Sequence, residues 1–433
     1  MNFETNRKKC RVLVFPCGTE IGLEIHQALK WSTHIELFGA SSISSNHGKY
    51  VYKNYIEGLP FVNDPDFITH LNDVIDAYQI DLIYPSHDSV VLKLSETQSH
   101  LHCKVIGSLP ETCQICRSKN RTYQYFQSIL NVPKVYKTLK EDVEYPIFLK
   151  PDVGQGSKGI FIASSIVEAE IYMQKDPSLV AMEFIPGPEY TIDCFTDRNG
   201  VLRFVGPRKR VRISNGISVN SHPVNDTRLD QMAEVINSTL KFQGAWFFQA
   251  KEKANGDVTL LEIAPRIAGT MGLYRNLGVN FALLSVFDKL GVDVEIYFNK
   301  YSIDIDRALI NRFKIDLDYK NVYIDLDDTI IFNNSVNVWA IAFLYQCINK
   351  GIKVHLLSRH DGDIKKILQD HRLENIFDSV TCLDKTKEKA DYITEPSSIF
   401  IDDSFAERQR VSRKLGIPTF DTNSIESLID WKC

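Results

Sequence analysis

A strand-like segment ends in a lysine and runs directly into a glycine-rich loop near the middle of the chain. The segment Phe148–Ile160 reads FLKPDVGQGSKGI, with Lys150 closing the apolar stretch and three glycines in the loop. A backbone that carries glycine can approach phosphate oxygens closely and offer them its N–H groups, and a lysine adds positive charge. The loop is not a Walker A sequence, because no Gly-Lys-Ser or Gly-Lys-Thr opens a helix after it. Taken alone, the pattern is equally compatible with a plain β-hairpin.

Three further segments follow this loop in a fixed order. They read EFIPGPEY from Glu183, FQAK from Phe248 and LEIAPRIAG from Leu261. The ordered set resembles the ATP-grasp superfamily, and most closely its carbamoyl phosphate synthetase-like ligases. The resemblance covers residues 108–300 and implies two α+β lobes that hold ATP between them.

The resemblance implies nucleotide-binding roles for seven residues. Two lysines contact the phosphates, and a serine in the glycine-rich loop closes over the β- and γ-phosphates. A hinge of three consecutive residues reads adenine through its backbone, and a glutamate beyond the hinge holds the ribose hydroxyls. These residues are Lys119, Lys150, Ser157, Glu183, Phe184, Ile185 and Glu189.

Metal and phosphate chemistry is implied at the last two segments. Glu262 takes the position of a magnesium-binding glutamate and Gln249 that of a second metal ligand, consistent with the preference of Mg²⁺ for oxygen. Arg266 takes the position that neutralises the transferring phosphate. The superfamily often has asparagine two residues after the metal glutamate, but Ala264 stands there and offers no side-chain oxygen. The implied cofactors are ATP and Mg²⁺, with Mn²⁺ as a substitute.

A cluster of cations lies between the two halves of this pattern. Five basic residues fall within the ten positions from Arg203 to Arg212. In a strand, Arg208, Arg210 and Arg212 share one face. A row of guanidinium groups suits a carboxylate or an acylphosphate. The alternative interpretation is a solvated strand face that binds no ligand. Because similar ligases carry arginines near the acceptor site, we predict that Arg210 and Arg212 bind substrate.

A second set of motifs occupies the C-terminal quarter of the chain. In order, these are VYIDLDDTI at 322–330, VHLLS at 354–358, lysines at 385, 387 and 389, and SIFIDDS at 398–404. An apolar strand that leads straight into several acids argues against a simple solvated turn. The four motifs resemble the haloacid dehalogenase superfamily. The intervals between them leave room for little more than a helix and a strand, so a domain without a cap is predicted.

The resemblance implies a role for each polar residue of these motifs. Asp325 would attack phosphorus, and Asp327 would act as general acid and then as general base. Ser358 would bind the phosphoryl oxygens, and Lys389, rather than the lysine two residues earlier, would stabilise the transferring charge. The predicted metal ligands are Asp325, Asp327 and Asp402, with the acid after Asp402 as a further candidate.

The N-terminal segment has the pattern of an α/β domain. The apolar stretch Arg11–Phe15 is followed by a glycine turn and a helical pattern, and short strands and helices then alternate, which indicates a parallel sheet. The spacing Gly18-x-x-x-Gly22 is not the dinucleotide fingerprint and indicates a tight strand-to-helix turn. We therefore predict an α/β and α+β multidomain chain with a leading α/β domain (1–107), a two-lobed ATP-grasp domain (108–300) and a capless, Rossmann-like haloacid dehalogenase domain (318–433).

Composition and charge limit the classes of partner and the cellular compartment that we expect for the chain. The formal net charge is -5, so no global basic field would recruit nucleic acid. The sequence has no apolar run of transmembrane length and no apolar core of a secretory signal in its first ten residues. The nine cysteines are scattered, which indicates reduced thiols and a cytoplasmic setting.

These observations predict a bifunctional enzyme. An ATP-dependent ligase would join a small-molecule carboxylate to an amine or a thiol through an acylphosphate, and a fused Mg²⁺-dependent phosphatase would act on a phosphorylated substrate. The alternatives are an ATP-grasp small-molecule kinase, an ATP-binding domain that regulates the phosphatase, and a C-terminal interaction module without catalysis. The superfamily often forms dimers, so a homodimer is the assembly that the resemblance suggests.

Overall fold

The computed structural model describes residues 9–139, 143–154 and 159–432. The chain folds as two units, one that ends at Leu309 and one that runs from Ile310 to Lys432. This division falls inside the polar stretch between residues 301 and 320, while the finer boundaries at 107 and 300 remain predictions. Within the described ranges, every helix is too short or too polar to cross a membrane.

The strands of the first unit form one parallel sheet and two antiparallel sheets. Its strands are β1 (Cys10–Phe15), β2 (Ile35–Ser41), β3 (Asn54–Glu57), β4 (Leu82–Pro85), β5 (Lys104–Val105), β6 (Ile147–Pro151), β7 (Phe161–Ala163), β8 (Leu179–Glu183), β9 (Glu189–Thr196), β10 (Leu202–Ser214), β11 (Ile217–Pro223), β12 (Gly244–Glu252), β13 (Val258–Ala264) and β14 (Ile305–Asp306). Its helices are α1 (Glu20–Leu29), α2 (Phe67–Tyr78), α3 (Asp88–Glu96), α4 (Pro110–Arg117), α5 (Lys119–Phe126), α6 (Ile166–Lys175), α7 (Thr227–Thr239), α8 (Gly272–Asn276) and α9 (Phe281–Lys289).

The leading strands form a parallel sheet in the order β3-β2-β1-β4-β5, as the alternation of strands and helices predicts. The turn after β1 is tight, because a Cβ atom on Gly22 would lie 2.6 Å from the Cys17 carbonyl oxygen. Thr19 caps α1 by accepting a hydrogen bond from the Gly22 N–H at 3.0 Å. The strand order reverses between β1 and β4, so a crevice is expected outside their carboxyl ends.

Two antiparallel sheets complete the first unit. One has the order β13-β12-β9-β10-β11-β14 and the other the order β7-β6-β8. The larger sheet packs on α7 through a cluster that includes the fully buried Trp246, whose ring stacks on Phe242 with centroids 4.0 Å apart. A stacked aromatic pair of this kind adds about 0.5–1.5 kcal/mol beyond its buried area. This packing holds the strands that carry the predicted metal ligands.

The second unit has its own parallel sheet, in the order β19-β18-β15-β20-β21. Its strands are β15 (Asn321–Ile324), β16 (Ile331–Phe332), β17 (Ser335–Val336), β18 (Lys353–Ser358), β19 (Ser379–Cys382), β20 (Ser398–Ile401) and β21 (Thr419–Phe420), and its helices are α10 (Val338–Asn349), α11 (Ile364–Asp370), α12 (Phe405–Leu415) and α13 (Ile425–Leu428). The residues 330–357, all of which are described, hold only the β16–β17 hairpin, α10 and most of β18. This interval contains no cap domain.

Candidate active sites

A cavity of about 160 Å³ in the first unit is lined by residues from both antiparallel sheets. We call it the nucleotide cavity. Six of the seven predicted nucleotide-binding residues line it, and the seventh, Ser157, lies outside the described residues. The six are Lys119, Lys150, Glu183, Phe184, Ile185 and Glu189.

Of the three lysines that line this cavity, the two predicted to contact phosphates are partly or almost fully buried. Lys150, the penultimate residue of β6, is only 7% exposed. Burial lowers the pKa of its ammonium group although the carboxylates of Glu262 and Glu189 act in the opposite direction. Burial also lowers the pKa of Lys119, which donates a hydrogen bond to the Asp152 carbonyl at 3.2 Å. An enclosed cation gains stability from an anionic ligand, so both lysines suit phosphate oxygens.

The predicted adenine hinge follows β8 directly. The Glu183 N–H donates a hydrogen bond to the Lys134 carbonyl at 2.9 Å, and its carboxylate pairs with Lys253 at 2.7 Å. The hinge packs closely on the end of β12, because a Cβ atom on Gly187 would lie 1.8 Å from the Glu252 carbonyl oxygen. Both the Glu183 N–H and its carboxylate are thus engaged within the protein, and other backbone groups of the hinge would have to read adenine.

Gln249 and Glu262 face each other across two adjacent strands. They are register partners in β12 and β13, next to a bulge between Gln249 and Ala250. The pairing brings an amide oxygen and a carboxylate to the same place, and both residues line the nucleotide cavity. Oxygen donors of these two kinds fit Mg²⁺. Ala264, two residues further along β13, is buried beside Phe247 and adds no donor.

A second cavity, of about 140 Å³, adjoins the nucleotide cavity, and we call it the acceptor cavity. Cations from several elements line it, together with carboxylates at the starts of helices α1 and α3. The two cavities share six lining residues and therefore meet at them. The shared residues are Lys119, Gly154, Arg210, Gly216, Gln249 and Glu262.

Two arginines in the acceptor cavity pair with carboxylates at the starts of helices that follow strands of the leading sheet. Arg266 donates hydrogen bonds from two of its nitrogens to the carboxylate of Asp88, the first residue of α3. Its Nη2 lies 2.9 Å from Asp88 Oδ2. Burial raises the pKa of Asp88, but the Arg266 guanidinium outweighs this and holds the pKa below its usual value. Arg307 Nη2 donates to Glu20, the first residue of α1, at 2.7 Å. Glu20 and Asp88 follow β1 and β4, the two strands between which the sheet order reverses.

The basic cluster on β10 does not present one continuous row of guanidinium groups. Arg208 is 1% exposed and forms a bidentate pair with Asp193, while Arg210 is 9% exposed and bonds Glu189, Gln249 at 3.0 Å and the Gly216 carbonyl at 2.9 Å. Both line the acceptor cavity.

The structure corrects the expectation for Arg212. Its side chain is 58% exposed, pairs with Asp306 at 2.8 Å and lies outside the lining of both cavities. The register of β10 against β11 shifts between Arg210 and Arg212 and again before Ile213. A bulge of this kind interrupts the alternation of faces along a strand, so Arg212 no longer shares the face of Arg210.

In the second unit, a buried lysine lies between two buried aspartates. Lys389 Nζ is 2.7 Å from Asp325 Oδ1 and 2.6 Å from Asp402 Oδ2, and the three residues are at most 6% exposed. Burial opposes the charge on Lys389, but the two carboxylates prevail and raise the pKa of its ammonium. Burial and the neighbouring Asp325 charge raise the pKa of Asp402 to about 6. The other lysine candidates, Lys385 and Lys387, are 75% and 51% exposed.

The carboxylates that could share a metal ion here are Asp325, Asp402 and Asp403, whose oxygens lie within 4.8 Å of one another. Asp325 follows β15 and Asp402 follows β20, which are neighbours in the parallel sheet. Asp327, a predicted metal ligand, lies outside this group. Its carboxylate is 46% exposed and faces His360, whose Nδ1 lies 2.9 Å from Oδ2 and 3.0 Å from Oδ1. This arrangement suits Asp327 to proton transfer better than to metal binding.

Ser358 closes β18, next to β15, and is 1% exposed. Within the described residues, its hydroxyl is buried without a hydrogen-bond partner. A buried polar group in this state is stabilised by a ligand that accepts or donates a hydrogen bond, as a phosphoryl oxygen would. Thr329, in the first motif, is fixed by accepting a hydrogen bond from the Asp403 N–H at 3.1 Å.

Several residues of the two sites carry no local sequence signal. Glu20, Asp88 and Arg307 reach the acceptor cavity from elements that are distant along the chain. Arg117, at the end of α4, also lines this cavity and donates hydrogen bonds to the Gly154 carbonyl and to Ser89. His360 is two residues beyond the serine of the second motif, a proximity that marks it only once the fold is seen.

The known proteins that this chain resembles match it within the first unit. Residues 175–309 match the family described as "ATP-grasp in the biosynthetic pathway with Ter operon". A D-alanine--D-alanine ligase from Petrotoga mobilis is 25% identical over 252 residues, which are 53% of this chain and 82% of that protein.

Two solved structures share the fold at low sequence identity. An L-amino acid ligase from Bacillus licheniformis has a TM-score of 0.53 at 18% identity, over 65% of this chain and 74% of its own. The biotin carboxylase domain of the 2-oxoglutarate carboxylase from Hydrogenobacter thermophilus, solved with MgADP, has a TM-score of 0.56 at 14% identity, over 68% and 72% of the two chains. The solved structures show that the first unit shares their fold. The family match and the D-alanine--D-alanine ligase point to the ATP-grasp superfamily, whose enzymes use ATP with Mg²⁺.

Proposed function

We propose that the first unit is an ATP-dependent ligase that activates a carboxylate as an acylphosphate and passes the acyl group to an amine. The observation that carries the proposal is that the nucleotide and acceptor cavities meet at Lys119, Arg210, Gln249 and Glu262. A phosphoryl group that moves from a nucleotide to a carboxylate must cross such a junction, and its negative charge must be offset there.

The balanced reaction assigns a task to each side of the junction. A carboxylate oxygen attacks the γ-phosphorus and ADP leaves; the amine nitrogen then attacks the acyl carbon, phosphate leaves with the bonding electrons, and the amine loses a proton. Lys119 and Arg266 offset charge on the phosphoryl oxygens, and Asp88 fixes the Arg266 guanidinium in place. A magnesium ion held by Glu262 and Gln249 would supply further positive charge.

The names of the relatives suggest where to look for the substrates. One acts as a D-alanine--D-alanine ligase and another as an L-amino acid ligase. The acceptor cavity holds guanidinium groups, which suit a carboxylate, and the carboxylates of Glu20 and Asp88, which suit an ammonium group. Amino acids and related small carboxylates and amines are therefore the first pool to test.

We further propose that the second unit is a magnesium-dependent phosphatase. Asp325 would form a bond to phosphorus as the leaving group departs with a proton from Asp327, and water activated by Asp327 would then release phosphate. The support is the buried group of Asp325, Lys389 and Asp402. The Ser358 hydroxyl ends the neighbouring strand β18 and has no hydrogen-bond partner in the described part of the chain. Lys389 holds the two carboxylates together, and a divalent cation would add charge on the side of Asp403.

The ligase proposal can be tested in one experiment with the full chain. ADP release from Mg-ATP is measured with a pool of amino acids and small carboxylates, in the wild type, Glu262→Ala and Asp325→Asn. The ligase proposal predicts release that requires the pool, disappears in Glu262→Ala and persists in Asp325→Asn, together with a new amide in the products. ADP release that yields only a phosphorylated pool member would identify a kinase instead, and a pool-independent background would contradict both readings.

A further inference from the structure

The segment that leads from the first unit into the second contributes a side chain to the acceptor cavity. Its strand β14 (Ile305–Asp306) pairs with β11 at the edge of the six-stranded sheet, and the Arg307 N–H extends this pairing by donating to the Val219 carbonyl at 2.8 Å. Arg307 lies within the lining of the acceptor cavity, beside Ser218 and Gly269. The joining segment is thus attached to the sheet beside the lining of the cavity.

Asp306 and the residue that follows it, Arg307, point to opposite faces of the sheet. Asp306 faces outward, where it accepts from Arg212 Nη2 at 2.8 and 2.9 Å and from Asn220 Nδ2 at 2.9 Å. Arg307 faces the opposite way, into the cavity, as alternation along a strand requires. Arg212, which was expected to bind substrate, instead anchors the strand that presents a different arginine. Arg212 therefore supports the cavity indirectly, through Asp306 and the strand, whereas Arg208 and Arg210 line it directly.

The Arg307 guanidinium is held but not saturated by its partners. Nη2 pairs with Glu20 at 2.7 Å, while Nη1 reaches the Ser218 carbonyl only at 3.5 Å. The side chains of Arg307 and Glu20 are 24% and 36% exposed, and an ion pair with this exposure is weak. An oxyanion that binds through two parallel hydrogen bonds can therefore replace Glu20 at low cost.

The space beside the guanidinium is open because residue 269 is glycine. A Cβ atom there would lie 3.2 Å from Arg307 Nη1 and 3.0 Å from Glu20 Oε1. Any larger residue would press on both members of the ion pair, so glycine preserves access to the guanidinium. Arg266, which pairs with Asp88, also lines this cavity.

We propose that Arg307 is an oxyanion-binding residue of the acceptor cavity, so that the segment joining the two units is part of the first active site. The proposal rests on the proposed ligase function for the origin of the ligand, which is the carboxylate of a substrate or the phosphate that ligation releases. Both present oxygen atoms that a guanidinium fork can bind. Binding of either anion tightens β14 onto the sheet, and this tightening requires Arg307.

Hydrogen exchange of the peptide 301–309 in the full chain tests the proposal. Samples contain inorganic phosphate, acetate or neither, each with and without Mg-ADP. We expect at least one of the two anions to slow exchange of this peptide by about fivefold or more, the lower end of typical coupling between sites. The anion that acts shows whether the subsite takes phosphate or carboxylate. Arg307→Gln should abolish the effect, and Arg307→Lys should retain part of it.

A matched arginine and a second peptide control the experiment. Arg228 forms exposed ion pairs with Asp226 and Glu252 outside both cavities, so Arg228→Gln should respond as the wild type does. Protection of the hinge peptide 183–190 by Mg-ADP reports the nucleotide site independently. If neither anion slows exchange of 301–309, or if Arg307→Gln retains the effect, the proposal is wrong even where the hinge is protected. An unprotected hinge would count against the ligase instead, and the samples without nucleotide would still decide the role of Arg307.

Discussion

The ammonium group of Lys389 lies 2.7 Å from the Asp325 carboxylate, and both side chains are almost completely buried. Because Asp402 meets the same ammonium at 2.6 Å, removal of the lysine leaves two buried carboxylates without their cation. Breaking a buried ion pair on one side typically costs about 3–5 kcal/mol. The pair therefore contributes to the fold of the second unit as well as to its chemistry.

We predict that Lys389→Met destabilises the second unit by about 3 kcal/mol or more, by this mechanism. Urea unfolding followed by hydrogen exchange of peptides from the second unit measures the change, because tryptophans lie in both units and fluorescence would not separate them. Lys387→Met is the control, because Lys387 is 51% exposed and its pair with Asp384 spans 3.5 Å. Equal stability of the two variants would show that Lys389 does not offset the buried charges.

Asp325→Asn should eliminate hydrolysis of p-nitrophenyl phosphate while it leaves ATP-dependent ADP release intact. The amide keeps the size of the side chain but is a poor nucleophile and a poor partner for a cation. Asp384→Asn, which changes an exposed carboxylate of the same unit, should hydrolyse the ester at the wild-type rate. Phosphatase activity that survives in Asp325→Asn would assign the reaction to other residues or to a contaminant.

The sequence predicts best those residues that stand at the ends of strands. Lys150 lies one residue before the end of β6 and Ser358 closes β18, while Asp325 and Asp402 follow β15 and β20. In each case a short apolar run precedes the polar residue. Local patterns of this kind can be read without the fold. The structure then brings Asp325 and Asp402 together because parallel neighbours end at the same edge of a sheet.

The acceptor cavity could not be predicted in the same way. The pair between Arg266 and Asp88 spans 178 positions and that between Arg307 and Glu20 spans 287, so no local periodicity links the partners. Arg212 illustrates a second cause. Strict alternation along β10 places it beside Arg210, but the bulge between them depends on the register with β11 and turns Arg212 outward.

Arg210 and Arg212 should therefore differ sharply when each is replaced by glutamine. The Arg210 side chain is 5% exposed and bonds Glu189, Gln249 and Gly216, so Arg210→Gln should disturb the nucleotide cavity and weaken binding of Mg-ADP by about tenfold or more, the equivalent of about 1.4 kcal/mol. Arg212 forms an exposed pair, typically worth about 0–1 kcal/mol, and Arg212→Gln should bind Mg-ADP normally. Calorimetric titration with Mg-ADP distinguishes them, and an equal or stronger loss in Arg212→Gln would show that Arg212 supports the nucleotide cavity despite its exposed position.

Glu262→Gln should lower the rate of substrate-dependent ADP release by about a hundredfold or more, since loss of transition-state charge stabilisation commonly costs 10²–10³ in rate. Glutamine preserves the shape of the side chain across from Gln249 but removes the negative charge that would hold a magnesium ion. Raising the Mg²⁺ concentration should recover part of the loss. Glu252→Gln, at the far end of β12 and outside both cavities, provides the comparison and should respond to Mg²⁺ as the wild type does.

The stability of the first unit should fall as the pH is lowered, partly because of His26. This residue of α1 is 5% exposed, and its ring lies 4.7 Å from that of Tyr52. Burial, with some repulsion from Lys30, lowers the pKa of its imidazole from 6.5 to about 4. Below pH 6.5 the imidazole of the unfolded chain binds a proton, whereas that of the folded protein stays neutral until about pH 4. The stability that depends on a neutral His26 is therefore present above pH 6.5 and is lost as the pH falls from 6.5 to about 4.

At pH 5 this single group should cost about 2 kcal/mol relative to pH 7, at 1.36 kcal/mol for each pH unit below its unfolded pKa. His26→Phe retains a ring against Tyr52 but cannot be protonated, so it should lose less stability than the wild type over the same interval. Calorimetric unfolding of both proteins at pH 7 and pH 5 gives the difference, and His70→Gln, which changes an exposed histidine, should follow the wild type. Identical pH dependence in the wild type and His26→Phe would show that the buried imidazole is not the group responsible.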